Sequence, residues 1–264
     1  MVKNFARACK NSILPKGKHF RKLRFGLASG CVMNIDFQHS TGLYLGLYEK
    51  EVEPYFRSLL HRGYNCFDVG GKGGYDALIM AKLTGGEIVS FECEEDAAEE
   101  MRQTFAQNPF PIQTIEAFVG NRNTSNHTTL DVAASRTFMP DFIKLDIEGA
   151  EVETLLGAET ILSTRKPSLI VEVHGKDEEH QCLNILTAHG YTPKIINQRN
   201  WLKEQRPLEH NRWLVCCGRN REPAGVDSKD KLEQSGVTIM TVLAVGIVCL
   251  ALWLALGATQ SDTK

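Results

Sequence analysis

The sequence predicts an α/β fold in which a mostly parallel sheet carries helices on both faces, followed by one C-terminal transmembrane helix. Between residues 64 and 217, four short apolar runs each lead into a stretch with helical spacing. Parallel strands need crossover connections, and helices supply them. The 264 residues, 42% of them hydrophobic, suffice for one domain of catalytic size with an appendage.

The predicted elements follow each other in a regular order. Residues 1–40 form a basic segment with strands that lead into the domain at 41–217. The four strand-and-helix units are YNCFDVG with YDALIMAKL, EIVSFE with EDAAEEMRQTFAQ, DFIKLDI with GAEVETLLGAETIL, and SLIVEVH with DEEHQCLNILTAHG. PIQTIEAFV adds a strand, and YTPKIIN and RWLVCC form a closing pair whose last strand is predicted to be antiparallel.

A polar linker at 218–236 precedes an apolar segment at 237–257, whose 21 residues include no charged side chain. At ~1.5 Å per residue, a helix of this length crosses a hydrocarbon core of ~30 Å, so a transmembrane helix is predicted. A buried core helix is the alternative. Residues 258–264 form a short tail. Because the basic start lacks an apolar signal sequence, we expect a single-pass membrane protein whose catalytic domain faces the cytosol.

The first 24 residues hold eight Lys or Arg and no acid, although the formal net charge of the chain is -2. Three interpretations stay open for residues 1–24: contact with anionic lipid, a solvated hairpin edge, or an organelle-targeting stretch. The balanced total charge gives no clear case for a nucleic-acid partner. The eight cysteines form no C-x-x-C pair and indicate neither a zinc site nor a disulfide framework.

The first strand of these units ends on Asp68 and is followed by a glycine-rich loop. Its glycines are Gly70, Gly71, Gly73 and Gly74. Glycines at a strand end allow a sharp turn and bring backbone N–H groups close to a ligand. A phosphate loop fits poorly because Lys72 precedes glycine, and a dinucleotide loop needs a small residue at Asp76. The acid-first order suits S-adenosylmethionine, which carries an ammonium and a sulfonium but no phosphate.

Carboxylates also end the strands that follow. Glu92 ends EIVSFE, where it can bind both ribose hydroxyls or serve as a helix-start acid favoured by the dipole. Asp146 and Glu148 flank the end of DFIKLDI. Glu151 lies on the first turn of the next helix, so three carboxylates crowd the expected reaction centre, and the helix dipole can explain Glu151. The spacing in that helix predicts inward-facing side chains at Val152, Leu155 and Leu156.

At DFIKLDIEGAEVETLLGAETIL the sequence resembles the FkbM family of methyltransferases, whose hallmark is an I-K-[ILV]-D-[IV]-E-G-x-E run before a leucine-rich helix. Similar stretches are YLGLYEKEVEPYF, the D-V-G start of the loop, FE, FVGN and PSLIVEVH. The resemblance covers roughly residues 40–200. It implies a Rossmann-like class I methyltransferase fold, S-adenosylmethionine as donor and, mostly, transfer to a hydroxyl oxygen.

By position, the resemblance assigns Asp68 and the loop glycines to the methionine end of the cofactor and Glu92 to the ribose. It assigns Val119 and Gly120 to the adenine, and it places Asp146 near the methyl group. Lys72 departs from the family, in which a small polar amide is common there. We expect its side chain to face solvent.

A hydroxyl acceptor needs a base, and the candidate catalytic residues are Asp146, Glu148 and His174. No metal site is assigned, although a divalent ion held by Asp146, Glu148 and Glu172 is a minor alternative. The predicted function is O-methylation of a sugar, a lipid-linked molecule or another small-molecule or glycan acceptor at a membrane surface. Two alternatives stay open: an N-methyltransferase acting on protein or nucleic acid, and a catalytically silent cofactor-binding module held at a membrane.

Overall fold

Residues 16–199 and 210–218, the part of the chain that this computed structural model describes, fold around one seven-stranded sheet. The chain approaches that sheet through an antiparallel pair of strands and two short helices. These elements are β1 (Lys18–Lys22), β2 (Val32–Asp36), α1 (Thr41–Tyr44) and α2 (Glu53–Leu59). Strands were predicted for this basic segment, and two are present in its described part.

Strands and helices then alternate, as predicted. The first half contains β3 (Cys66–Val69), α3 (Tyr75–Thr84), β4 (Ile88–Glu92), α4 (Glu95–Ala106), β5 (Ile112–Glu116), β6 (Phe118–Val119) and β7 (His127–Thr128). The second half contains α5 (Leu130–Arg136), β8 (Phe142–Leu145), α6 (Glu151–Leu156), β9 (Ser168–Val173), α7 (Lys176–Ala188), β10 (Lys194–Asn197) and β11 (Arg212–Cys216). All the predicted strand-and-helix units are found, and PIQTIEAFV is divided between β5 and β6.

The strands of the main sheet lie in the order β10-β11-β9-β8-β3-β4-β5. From β9 to β5 all neighbours pair in parallel, whereas β11 pairs antiparallel with both β9 and β10. The chain builds outward from β3 in one direction and from β8 in the other, so the carboxyl ends of these strands border the crevice where ligands bind in such sheets. This is the predicted Rossmann-like methyltransferase arrangement, and the antiparallel last strand is confirmed.

Successive side chains of each strand face two different hydrophobic cores, one on either side of the sheet. On β3, Cys66 belongs to one core and Phe67 to the other. The same alternation directs the polar side chains of Asp68, Lys144 and Glu172 to the Cys66 side. Three charged residues on three strands therefore lie under one face of the sheet, near its carboxyl edge.

One predicted detail of α6 is wrong. Leu155 is buried, but Leu156 is 51% exposed and Val152 is only half-buried. The buried side chains of this six-residue helix are Glu151, Thr154 and Leu155. Because residues three and four positions apart share one helix face, the burial of Glu151 turns Leu156 outwards.

None of the helices in the described ranges is long and apolar enough to span a membrane. The predicted transmembrane helix at 237–257, the tail at 258–264 and all of the linker except Gly218 lie outside those ranges. Residues 1–15 of the basic segment lie outside them as well. These interpretations therefore stay predictions.

Candidate active site

The loop between β3 and α3 requires glycine because protein atoms surround its backbone. Gly70 has a φ of +87°, and a Cβ there would overlap the carbonyl oxygen of Asp146. A Cβ on Gly71 would overlap the hydroxyl of Ser90. The loop is therefore pressed between the ends of β4 and β8, and a side chain at either glycine would force it out.

Three backbone N–H groups of this loop donate to carbonyl groups of the protein, which differs from the expectation that they face a ligand. Gly70 and Gly71 both donate to the carbonyl of Phe91 at 3.0 Å. Gly74 donates to the carbonyl of Gly71 at 2.6 Å. Buried carbonyl groups need hydrogen-bond donors. The carbonyl of Phe91, at the end of β4, therefore accepts hydrogen bonds from two of the amides that were expected to bind the cofactor.

The second half of the loop packs against neighbouring elements. Gly73 and Gly74 have φ angles of +80° and +85°, and a Cβ on Gly74 would overlap the ring of Phe105 on α4. A Cβ on Gly73 would lie 3.2 Å from the end of the Met33 side chain. Lys72 is exposed, as predicted. Its charge therefore does not enter the buried part of the site.

Asp68 is buried at the end of β3 and accepts a hydrogen bond of 2.7 Å from the hydroxyl of Ser90. Burial raises the pKa of Asp68 to about 6, although the Ser90 hydrogen bond and the Lys144 ammonium act against the rise. The nearby carboxylates of Asp146 and Glu49 add to it. A cationic ligand beside Asp68 would favour the ionised form of this carboxyl group.

Glu92 is half-buried at the end of β4 and makes local contacts. Its Oε1 accepts hydrogen bonds from the backbone N–H groups of Cys93 at 2.8 Å and Glu94 at 3.1 Å. These bonds support its alternative role at the start of α4. Both involve Oε1, so binding of ribose through Oε2 stays a prediction.

Val119 and Gly120 lie where β6 packs against α6. The carbonyl of Val119 accepts a hydrogen bond of 3.0 Å from the Thr154 hydroxyl, and the N–H of Gly120 donates to Thr128 at 3.0 Å. A Cβ on Gly157 would overlap the carbonyl oxygen of Gly120. The pair is firmly positioned at this edge of the sheet, and its contact with adenine stays a prediction.

Lys144 on β8 is the centre of a buried ionic cluster. Its Nζ lies 3.3 Å from a carboxylate oxygen of Glu49, 3.5 Å from oxygens of Asp146 and Glu172, and 3.6 Å from an oxygen of Asp76. Burial opposes the charge of the ammonium, but the carboxylates, led by Asp146, raise the pKa of Lys144 above its usual value. The lysine is therefore a fixed positive charge that holds the carboxylates around it.

The sequence patterns did not predict Glu49 or Asp76 as members of this cluster. Glu49, between α1 and α2, is buried with a φ of +43°, which is strained for a residue other than glycine. Burial raises the pKa of Asp76 well above its usual range, against the effect of Lys144. The YLGLYEKEVEPYF stretch could have pointed to Glu49, because it carries part of the FkbM resemblance although it lies outside the sheet.

Asp146, His174 and Glu151 meet at the ends of β8 and β9. Nε2 of His174 lies 3.4 Å from Oδ1 of Asp146, and its Nδ1 lies 2.5 Å from Oε1 of Glu151. The interpretation of Glu151 by the helix dipole alone is wrong, because its carboxylate is wholly buried against the imidazole. Glu151 orients the ring of His174 and directs Nε2 towards Asp146.

The protonation of His174 depends on these acidic neighbours. Burial lowers the pKa of His174, but the hydrogen bond with Glu151 and the charge of Asp146 outweigh that effect, so the pKa lies above its usual value. The charge of Glu148 contributes in the same direction. When the ring is neutral with its proton on Nδ1 towards Glu151, Nε2 is the accepting nitrogen.

Glu148 does not join this group. It lies exposed in the turn between β8 and α6, and within the described ranges it makes no hydrogen bond or ion pair. Glu172, which the sequence suggested with Asp146 as a possible metal ligand, does lie close to Asp146. Glu172 is wholly buried, with Oε1 2.5 Å from Nδ2 of Asn211 and Oε2 3.1 Å from Nε1 of Trp213. One ligand atom each from Asp146, Glu172 and His174 lie within 4.8 Å of one another, close enough to hold a metal ion.

A polar cleft of about 350 Å³ opens beside Glu172. Its lining residues are Lys176, Asn197, Gln198, His210, Asn211 and Arg212. Asn211 connects the cleft to the acidic group, since it donates to Glu172, whose Oε1 is 3.5 Å from Nε2 of His174. The cleft can therefore receive a small polar molecule next to the ends of β8 and β9.

The fold and the arrangement of these side chains define the class of protein. In open α/β sheets the ligands bind at the carboxyl ends of the strands, where Asp68, Glu92, Asp146 and His174 all lie. A mostly parallel sheet in this strand order, with acidic side chains at its carboxyl edge, is the arrangement of an S-adenosylmethionine-dependent methyltransferase.

Residues 96–204 match the family model described as Methyltransferase FkbM domain. This range, which includes Asp146 and His174, is therefore similar to an FkbM methyltransferase domain, and S-adenosylmethionine is the cofactor that this similarity supports. No sequence among the curated proteins matches the chain.

Several solved structures are similar to this chain. Methyltransferase FkbM from Methylobacillus flagellatus KT is 14% identical with a TM-score of 0.49, and the match covers 81% of this chain and 59% of that one. Precorrin-6y C5,15-methyltransferase from Geobacter metallireducens GS-15 is 13% identical with a TM-score of 0.47, covering 65% and 88%. Aeropyrum pernix fibrillarin, in complex with natively bound S-adenosyl-L-methionine, is 11% identical with a TM-score of 0.45, covering 60% and 68%.

Proposed function

We propose that this protein transfers the methyl group of S-adenosylmethionine to a hydroxyl oxygen of a small polar acceptor, such as a sugar, a glycan or a lipid-linked molecule. The observation that carries the proposal is the placement of Asp146 against His174, whose other nitrogen is held by the buried carboxylate of Glu151. A hydroxyl group keeps its proton at neutral pH, so its methylation needs a site that favours loss of that proton.

Asp68, Glu92 and the glycine loop are the groups that would hold the cofactor. When bound, S-adenosylmethionine supplies a methyl group on a positively charged sulfur. The residues fit such a ligand by charge, because Asp68 lies buried near the carboxylates of Asp146 and Glu49 and is hard to ionise without a cation beside it. Lys72 is exposed and does not oppose this fit.

Asp146 and His174 serve the acceptor side of the reaction. The side chain of Asp146 is 22% exposed, whereas that of Glu172 is wholly buried, so Asp146 is the carboxylate that an acceptor reaches first. It orients the hydroxyl group, and the pair with His174 favours release of the proton. Orientation of two reactants can be worth ~7 to 11 kcal/mol, and help with the proton is worth ~100-fold to ~10,000-fold.

The polar cleft supports a small acceptor. Its volume is about 350 Å³, which lies within the range of small-molecule sites. Asn211, in its lining, is hydrogen-bonded to Glu172 beside His174. A hydroxylated molecule in this cleft would lie against Asn211, one hydrogen bond away from Glu172.

The test combines donor binding with turnover by the full chain, kept in a mild detergent because of the apolar segment at 237–257. We expect the chain to bind S-adenosylmethionine and to transfer a labelled methyl group to the hydroxylated small-molecule fraction of a cell extract. Label on protein or nucleic acid would instead support the N-methyltransferase alternative. Donor binding without any transfer would identify a silent cofactor-binding module.

We also propose that the protein acts at a membrane surface. The apolar segment at 237–257 supports this, and in the described part Phe20 and Phe25 are 42% and 50% exposed beside the exposed cations Lys22 and Arg24. Exposed aromatic and basic side chains together suit the surface of an anionic bilayer. The full chain should pellet with membranes and resist carbonate extraction, whereas a chain ending at Gly236 should not. If both stay in the supernatant, residues 237–257 are not an anchor.

A further inference from the structure

The carboxylates around Lys144 and His174 outnumber the positive charges. The five acidic side chains are those of Glu49, Asp76, Asp146, Glu151 and Glu172. They face one ammonium and one imidazole, so negative charge remains in excess even when both of these are protonated. Buried charge without compensation is costly. The cluster therefore favours the entry of a further cation.

Three potential ligand atoms of the cluster lie close together. Oδ1 of Asp146 lies 3.4 Å from Nε2 of His174, and Oε1 of Glu172 lies 3.5 Å from the same nitrogen. Adjacent ligands held ~2.1 Å from an ion in tetrahedral or octahedral geometry are about 3.0 to 3.4 Å apart. Each oxygen is thus spaced from the nitrogen almost as two ligands of a single ion are, and one ligand atom from each of the three residues lies within 4.8 Å of the others.

The opposite oxygens of the two carboxylates are held from behind. Oδ2 of Asp146 and Oε2 of Glu172 each lie 3.5 Å from Nζ of Lys144. Oε2 of Glu172 also accepts a hydrogen bond of 3.1 Å from Nε1 of Trp213. The other oxygens, Oδ1 of Asp146 and Oε1 of Glu172, face His174, and Oε1 also accepts a hydrogen bond of 2.5 Å from Asn211. Hydrogen bonds and ion pairs of this kind hold the ligating side chains in place around metal ions.

Glu151 gives an independent indication of a ligand. Its side chain is wholly buried, and while Oε1 bonds to Nδ1 of His174, Oε2 has no hydrogen-bond partner within the described ranges. A dication at Nε2 would polarise the imidazole and stabilise this half-paired carboxylate. A carboxylate on the far nitrogen is also the usual companion of a metal-bound histidine, because it sets the tautomer that leaves Nε2 able to bind.

We propose that Asp146, Glu172 and His174 bind a divalent cation of the magnesium and manganese class, and that the acceptor hydroxyl completes its coordination. Two carboxylate oxygens favour hard cations, and the imidazole nitrogen admits manganese. The role of the hydroxyl rests on the proposed function. The sequence alternative with Glu148 is replaced by a set with His174, since Glu148 is exposed in the turn.

The cation would act by lowering the pKa of the acceptor hydroxyl. In the transfer, the hydroxyl loses its proton to water and its oxygen keeps the electron pair. That pair forms the new carbon–oxygen bond to the methyl carbon, while the pair of the broken carbon–sulfur bond stays on sulfur. Asp146 and His174 then act as ligands that fix the oxygen in place, and no further reactant is required.

For the test, metals are first removed from the full chain with a chelator. Mn²⁺ is then titrated into the protein, and its binding is measured by electron paramagnetic resonance, with Mg²⁺ as a competitor. We expect one bound Mn²⁺ per chain. His174→Asn and Asp146→Asn should each weaken Mn²⁺ binding at least about 100-fold, and Glu151→Gln should weaken it about 10-fold to 100-fold. Glu153→Gln, which changes an exposed acid of the same segment, should leave the affinity unchanged.

Thermal unfolding separates loss of the site from loss of the fold. Mn²⁺ should raise the Tm of the wild type by mass action and leave the Tm of His174→Asn unchanged. The proposal is overturned if the folded wild type binds no Mn²⁺, if Glu148→Gln rather than His174→Asn abolishes binding, or if S-adenosylmethionine displaces the ion one for one. The last result would assign the excess negative charge to the cofactor.

These outcomes are distinct from failure of the proposed function. If methyl transfer continues in excess chelator, the proposed role of the cation in the transfer is refuted. The proposal of O-methylation is then retained, with His174 as the base. Binding of Mn²⁺ by a chain that does not bind S-adenosylmethionine supports the cation site and refutes the proposed methyl transfer.

Discussion

The two halves of the sheet's carboxyl edge are built by different means. At β3 and β4 the structure depends on the backbone. Gly70 and Gly71 lie in spaces too narrow for a side chain, and their amides donate hydrogen bonds to the carbonyl of Phe91. At β8 and β9 side-chain charge decides it, with Lys144 between carboxylates and His174 held by Glu151. We call the edge at β3 and β4 the cofactor half and the edge at β8 and β9 the acceptor half. The cofactor half should be sensitive to the size of a substituted residue, and the acceptor half to its charge.

The largest expected effect comes from removing charge in the acceptor half. Asp146→Asn keeps the volume of the side chain but removes the charge that faces His174 and Lys144. Methyl transfer should fall by ~100-fold to ~10,000-fold with little change in cofactor affinity. Single-turnover transfer of a labelled methyl group measures this, and Glu153→Gln on the same segment is the control. Unchanged turnover would make Asp146 a structural strand-end acid.

A change of size in the cofactor half should act on stability instead. Gly70 and Gly149 have similar φ angles, +87° and +83°, but a Cβ overlaps Asp146 at Gly70 and meets nothing within 4 Å at Gly149. Gly149→Ala should cost about 1 to 2 kcal/mol of unfolding free energy from the backbone alone. Gly70→Ala should cost more than about 4 kcal/mol or prevent folding. Equal costs in chemical denaturation would mean that the β8 end yields easily to the loop.

Glu151→Gln tests whether the acceptor half extends to α6. The substitution keeps a hydrogen-bonding side chain beside His174 but removes its charge. Activity should fall about 10-fold to 100-fold, as for other partners that orient a functional histidine. Stability should change little, because the loss of the ion pair with His174 is offset by the removal of a buried negative charge. If activity is retained and only stability falls, the contact of Glu151 with His174 is structural and does not serve the reaction.

Asp68→Asn tests the charge within the cofactor half through its pH dependence. The folded pKa of Asp68, about 6, lies above its ordinary value of 3.8, so the folded state binds more protons between these values. Stability should therefore fall as the pH rises from about 4 to about 6, by on the order of 2 to 3 kcal/mol, and stay lower above that range. The fall should be absent in Asp68→Asn. Superimposable pH profiles of unfolding would show that Asp68 is not perturbed.

The smallest effect is expected at Lys72, which lies in the cofactor loop but is exposed. Lys72→Asn introduces the small polar amide that is common in the FkbM family. Because an exposed charge is screened by solvent, cofactor affinity should change by less than about threefold. An affinity that rises tenfold or more would show that Lys72 impairs the site and would favour the silent module.

The sheet could be predicted because its information is local. Apolar runs such as CFDV and FIKL alternate with helical spacing, and the short connections leave few possible topologies. The strand-end positions of Asp68, Glu92, Asp146 and His174 followed from the same pattern. The predicted placement of these residues at the strand ends was therefore correct, although their contacts could not be predicted.

The contacts themselves depend on distances between segments that are far apart in sequence. Glu49 reaches Lys144 from the stretch before α2, and no periodicity indicates that approach. The direction of the glycine amides depends on the end of β4, and the burial of Glu151 depends on the rotation of α6. A sequence shows which residues occupy the edge of the sheet, but not which of its polar groups are already paired.

Titration calorimetry of the full chain and two variants with S-adenosylmethionine tests the division of this edge most directly. The wild type should bind the cofactor, Asp68→Asn should weaken binding at least about tenfold, and Asp146→Asn should bind nearly as well as the wild type. Circular dichroism confirms that each protein is folded. The account is contradicted if the folded wild type gives no binding heat, or if Asp146→Asn weakens cofactor binding as much as Asp68→Asn does.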